Sequence, residues 1–145
     1  MKVNLGCGED FGEDLIGIDV HDYGQQHILD LEKDKLPFED DSIDQVFAKH
    51  FIEHLKDVKN CLNECHRTLR KGGELDIKVP NAMWQGAFMP PHFQHITLSW
   101  FDFLSKDKTK LYGYCQWEIR LLEATNKTSD VPDGKEIHCI LTPIK

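Results

Sequence analysis

Residues 3–8, Val3-Asn4-Leu5-Gly6-Cys7-Gly8, form a short apolar run that passes directly into a Gly-x-Gly turn. A strand that ends this way lets the backbone approach a ligand closely, because neither glycine carries a Cβ. The next apolar run, Leu15-Ile16-Gly17-Ile18-Asp19-Val20, is β-branched and reads as a second strand buried in a parallel sheet. It sets Asp19 at its carboxyl end, where a carboxylate can accept hydrogen bonds from ribose hydroxyls. Together the turn and the acid predict a nucleotide-type pocket over the ends of these two strands.

Working outward, Ile28-Leu29-Asp30-Leu31 is a third apolar piece. After the acidic, turn-rich segment 36–42, Ile43–Ala48 is a further strand candidate. The period then changes. Leu55, Val58, Leu62, Cys65 and Leu69 step by three and four, which puts them on one helical face. That helix is expected to stop at Lys71-Gly72-Gly73, where cations meet the C-terminal dipole and a glycine can take the left-handed cap. Glu74–Val79 alternates with period two until Pro80. Strands, a helix and another strand make an α/β plan. Further on, Asn81–Ile96 reads as a long structured loop, and Thr97 as the cap of a short helix reaching Leu104. Tyr112–Leu122 and Glu136–Leu141 read as an antiparallel strand pair at one edge of the sheet. The expectation is a single domain over residues 1–145, a mostly parallel sheet with an antiparallel C-terminal strand pair.

One spacing is unusual. Six residues separate Gly8 from Leu15, whereas a crossover that carries a helix takes roughly a dozen or more. The first crossover helix should therefore be reduced or absent. Asp19 lies 11 positions after Gly8 (19 − 8), not the ~20 of the dinucleotide fingerprint, which argues against NAD.

Composition narrows the class. Hydrophobic residues make up 40% and charged residues 29% of the 145, the balance of a globular chain. No apolar run approaches the ~20 residues of a membrane helix, and no charged-then-apolar leader is visible. The five cysteines are odd in number and scattered, which speaks for a reducing, cytoplasmic setting. A net charge of −8 makes nucleic acid an unlikely partner.

The chain resembles the class I, Rossmann-like S-adenosylmethionine-dependent methyltransferases. The phrases that carry the resemblance are Val3–Gly8, Ile18-Asp19-Val20, Asp30-Leu31, Leu36-Pro37-Phe38 and Asp41–Val46. They continue, in the family's order, with His50–His54, Leu69–Leu75 and Val79-Pro80-Asn81. The resemblance implies S-adenosyl-L-methionine as cofactor, bound by Asn4, Gly6, Cys7, Gly8, Asp19, Val20, Asp30, Leu31, Lys49 and His50. On that reading, Gly6, Cys7 and Gly8 wrap the methionine part through their backbone, and Asp19 holds the ribose hydroxyls. Val20 packs on the adenine, and Asp30 with the backbone of Leu31 meets its exocyclic amine. Lys49 and His50 lie beneath the methyl group. The implied activity is methyl transfer to a small-molecule or sugar-type acceptor. A cofactor-binding but inactive module is the alternative. The short first half also suggests an open pocket, or one closed by a second subunit in a homo-oligomer.

The histidines have their own reading. An imidazole titrates near neutrality, so His50, His95 or His92, in that order, could take a proton from the acceptor. His50-Phe51-Ile52-Glu53-His54 also spells the H-x-x-E-H of inverted zinc peptidases, but it follows a strand instead of lying within a long helix. The zinc hydrolase reading through His50, Glu53 and His54 is accordingly the weaker one. Cys61 and Cys65, one turn apart, read as small buried hydrophobes. No metal site is assigned. Trp84, Phe88, Phe93 and Trp100 could line a substrate pocket.

Overall fold

Seven strands form one sheet in the order β3-β2-β1-β4-β5-β7-β6. They are β1 (Lys2–Leu5), β2 (Ile16–Asp19), β3 (His27–Ile28), β4 (Ile43–Lys49), β5 (Leu69–Pro80), β6 (Trp117–Thr125) and β7 (Glu136–Pro143). Two α-helices accompany them, α1 (Lys59–Thr68) and α2 (Leu98–Leu104). The computed structural model describes all 145 residues, the side chain of Lys108 excepted. No helix among the described residues is long and apolar enough to cross a membrane.

β1 pairs in parallel with β2 on one side and with β4 on the other. The strand order therefore reverses at β1, and a ligand crevice is expected beyond the carboxyl ends of β1, β2 and β4. β7 lies antiparallel between β5 and β6, which accounts for the two C-terminal strands expected at one edge. Buried Val3, Leu5, Ile18, Val46, Ile77 and Cys139 form the middle of the core, on strands that the alternation and β-branching had marked.

The first crossover holds no helix among the described residues. Its turn bonds include Asp10 N–H to the Cys7 carbonyl and an isolated bridge between Gly12 and Leu15. The third strand is shorter than expected and sits earlier, at His27–Ile28. Asp30 and Leu31 lie in the following turn, where the amides of Lys33 and Asp34 bond to the Asp30 carbonyl. α1 holds this turn in place, since Asn60 Nδ2 donates to the carbonyls of Leu31 and Asp34 at 3.1 and 3.0 Å.

The helix expected to run to Lys71 ends at Thr68, and Leu69 already belongs to β5. Its last carbonyls are taken by another part of the chain: Asp41 N–H donates to Arg67 O, and Ser42 N–H to Thr68 O. Leu69 then pairs with Ile43 of β4. The helix also starts later than the periodic stretch, at Lys59, because Ile52–His54 forms a 3₁₀ turn instead. All five periodic residues are nevertheless buried. α2 begins after Thr97 as expected, but the Thr97 hydroxyl pairs with Ser99 Oγ and makes no cap to the backbone.

Candidate functional site

Gly6 and Gly8 both adopt positive φ, +60° and +50°. Leu5 ends β1, and the left-handed backbone at Gly6 turns the chain across the strand ends. A Cβ on Gly6 would lie 2.2 Å from Phe51 Cδ2, so the ring of Phe51 rests directly on the glycine backbone. A Cβ on Gly8 would meet nothing within 4 Å.

Asp19 fastens this turn from the neighbouring strand. Gly8 N–H donates to Asp19 Oδ2 at 3.0 Å and His21 N–H to Oδ1 at 3.0 Å. A carboxylate offers about four lone-pair sites, so each oxygen keeps one for a ligand. Cys7 N–H is bonded to Ile18 O at 3.2 Å. With the Cys7 and Gly8 amides engaged internally, the turn presents to a ligand chiefly a surface free of Cβ.

Gly17 completes the arrangement. A Cβ there would come within 2.8 Å of Cys7 Sγ and 2.7 Å of Phe11 Cβ. The buried Cys7 thiol thus packs over Gly17, and burial pushes its pKa up, with the Asp19 charge adding to the effect. Gly17→Ala should destabilise the protein by ~1–3 kcal/mol through overpacking, read as a lower urea midpoint at unchanged slope.

Beyond the strand ends lies a cavity of about 610 Å³, inside the range usual for drug-sized ligands. Gly6, Gly8, Asp19, Val20, Asp30 and Leu31 line it, and His50 forms part of its wall. Val20 is 55% exposed, an apolar surface open to the cavity. The Asp30 carboxyl is held below its usual range by a hydrogen bond from Lys33 Nζ at 3.0 Å, and it also accepts Glu32 N–H. Three residues of the expected set lie elsewhere. Asn4 is buried and donates through Nδ2 to Asp10, bracing the loop. Cys7 faces Gly17, and Lys49 is exposed with its ammonium over the Phe47 ring.

A second cavity of about 370 Å³ adjoins the first, and His50 and His54 line both. Its other walls include Glu53, Trp84, His92 and Glu136. Trp84 lies flat on Gly86, where a Cβ would fall 2.2 Å from the indole ring. His95 stacks on Phe88 with ring centroids 4.4 Å apart and lines neither cavity. Phe88, Phe93 and Trp100 also lie outside the second cavity.

His50 itself sits at φ +49°, just after β4, with its amide bonded to Lys78 O. His50 Nε2 pairs with Glu136 Oε1 at 2.8 Å, and Asn126 Nδ2 donates to the other oxygen of Glu136. With Nε2 protonated toward Glu136, Nδ1 carries the free lone pair. Glu136 is the residue that the sequence did not bring to this place. Glu53 and His54 stood in the H-x-x-E-H phrase after the fourth strand, and a 3₁₀ turn, not a helix, arranges them.

Residues 4–77 match the family model described as "Methyltransferase domain". Over 96 residues the chain is 34% identical to a probable S-adenosylmethionine-dependent methyltransferase of Mycolicibacterium smegmatis. That match covers 54% of this chain and 37% of the relative, so the chain spans little more than a third of the relative's length. Among solved structures, an S-adenosylmethionine-dependent methyltransferase from Mesorhizobium loti superposes with a TM-score of 0.68 at 14% identity, covering 97% of this chain and 89% of that one. One from Aquifex aeolicus gives 0.65 at 15% identity, covering 99% and 81%.

Proposed function

The chain belongs to the methyltransferase-domain family, and from that premise we propose that it transfers a methyl group from S-adenosylmethionine to a small acceptor bearing a hydroxyl or amine, sugar-type acceptors included. The observation that carries this reading is the pair of adjoining cavities whose shared wall is His50 and His54. A donor in the larger and an acceptor in the smaller would meet at these imidazoles.

The residues of the larger cavity suit the donor. Asp19 would accept the ribose hydroxyls on its remaining lone pairs, and Gly6 and Gly8 would let the methionine part lie against the backbone. Val20 would cover one face of the adenine, and Asp30 with the Leu31 backbone would meet its amine. When bound, S-adenosylmethionine supplies an electrophilic methyl group on a sulfonium. The protein's tasks are then alignment of the acceptor and removal of its proton. His50 Nδ1 would take that proton while Glu136 holds the ring through Nε2. In the smaller cavity, the Trp84 face would pack against an acceptor ring, with Asn126 and Lys135 as polar contacts at its rim.

Isothermal titration with S-adenosylhomocysteine, followed by transfer of labelled methyl over a metabolite panel, tests the proposal. Binding with transfer supports the enzyme; binding without transfer across the panel supports an inactive module; no binding overturns the cofactor assignment. Asp19→Ala should weaken S-adenosylhomocysteine binding by ~1–3 kcal/mol, since a charge-assisted hydrogen bond is lost. Unchanged affinity would remove Asp19 from the site.

A further inference from the structure

Glu53 is a buried carboxyl group without a hydrogen-bond partner for either oxygen among the described residues. Its side chain is 2% exposed. His50 Nδ1, at 3.6 Å from Oε1, is too far for a hydrogen bond. Burying an ionised carboxylate without a partner is costly, and burial accordingly pushes the Glu53 pKa up. A bound cation would offset that cost.

The groups around Glu53 define which cation that would be. One ligand atom from each of Glu53, His54 and His92 lies within 4.8 Å of the other two. The backbone holds the two segments together: Phe93 N–H and Gln94 N–H both donate to Glu53 O, at 2.7 and 3.0 Å. Gln94 Nε2 adds bonds to the carbonyls of Leu55 and Lys56, each 2.9 Å. The imidazoles of His54 and His92 consequently face each other, with centroids 4.9 Å apart. His92 Nδ1 lies 3.1 Å from the Ala87 carbonyl, so Nδ1 carries the hydrogen and Nε2 the lone pair. A second nitrogen fixed on a backbone carbonyl is the usual support of a metal-binding histidine.

We propose that Glu53, His54 and His92 bind one divalent transition-metal ion of the zinc class, at the wall between the two cavities. Two imidazoles and one carboxylate favour such a cation over magnesium or calcium, which take all-oxygen sets. Ligand bonds of about 2.0–2.2 Å require the three atoms to draw together to roughly 3.3 Å, a rotation within reach of the partly exposed histidines. Three protein ligands would leave coordination positions open, and the 370 Å³ cavity that Glu53, His54 and His92 line offers space for a hydroxyl or water oxygen to take one. This differs from the H-x-x-E-H set of His50, Glu53 and His54 that the sequence spells and that ranks as the weaker reading, since His50 is engaged by Glu136 and His92 comes from 38 positions further on (92 − 54).

The test is titration of chelator-treated protein with Zn²⁺, read without methyl donor, so that its outcome is separate from that of the methyl-transfer assay. One equivalent should bind, and Mg²⁺ at the same concentration should not. Co²⁺ substituted for zinc should show ligand-field bands without thiolate charge transfer, which separates this site from the free cysteines. His92→Ala and Glu53→Gln should lose ~100-fold or more in Zn²⁺ affinity, at least the upper end of what loss of a supporting residue costs. Both variants should still unfold cooperatively. Zn²⁺ should raise the Tm of the wild type alone. Absence of a zinc equivalent, thiolate bands on cobalt, or wild-type zinc affinity in His92→Ala would each overturn the proposal.

Discussion

Replacing His50 with asparagine should lower methyl transfer by about 10²–10⁴-fold, the usual contribution of a positioned general base. The choice of asparagine follows from the backbone. His50 sits at φ +49°, a region that asparagine tolerates better than other non-glycine residues, so the turn after β4 survives the exchange. What changes is the proton acceptor. Glu136 holds Nε2, leaving Nδ1 as the basic atom, and an amide cannot take a proton in its place. Because Asp19, Val20 and the Gly6–Gly8 turn stay intact, S-adenosylhomocysteine affinity should move far less than turnover. A loss in turnover with near-constant cofactor affinity separates proton removal from binding. Turnover within a few-fold of wild type would remove His50 from the role of base.

The features legible in the sequence are those set by local chemistry. Gly6 and Gly8 announce a turn because only glycine accepts such backbone freely, and Asp19 ends its strand wherever the rest of the chain lies. The missing crossover helix was equally visible, since six residues cannot hold one. Elements that depend on distant partners were not. The end of α1 is decided by the amides of Asp41 and Ser42, which capture the carbonyls of Arg67 and Thr68 before the helix can reach Gly72. Glu136 reaches His50 only because β7 inserts beside β5, and His92 reaches His54 only through the bonds of Phe93 and Gln94 to Glu53. Family position also does not say where a side chain points. Asn4 and Cys7 stand within the turn motif, yet one braces Asp10 and the other packs on Gly17.

Gly6→Ala should be the most destabilising change in the turn, by roughly 2–5 kcal/mol, the sum of backbone strain of ~1–2 kcal/mol and overpacking of ~1–3 kcal/mol. The strain arises because φ is +60° at this position. The overpacking arises because the new Cβ would lie 2.2, 2.7 and 2.9 Å from Cδ2, Cγ and Cβ of Phe51. Those are atoms near the base of the ring, so a simple rotamer change cannot clear them and the backbone at 50–51 must move. Gly8→Ala is the internal control: its φ is +50° but the added Cβ meets open space, so strain of ~1–2 kcal/mol should act alone. Urea unfolding of the two variants measures the difference. Truncating Phe51 to alanine in the Gly6→Ala background removes Cδ2 and Cγ but keeps Cβ, so it should return most of the packing part and leave the strain, a coupling that a double-mutant cycle reads directly. Since Phe51 follows His50, the same displacement should shift the imidazole that both cavities share. Gly6→Ala should therefore lose methyl transfer even at temperatures where it stays folded, while Gly8→Ala loses less. Equal stabilities for Gly6→Ala and Gly8→Ala would show that the Phe51 ring does not lock the turn.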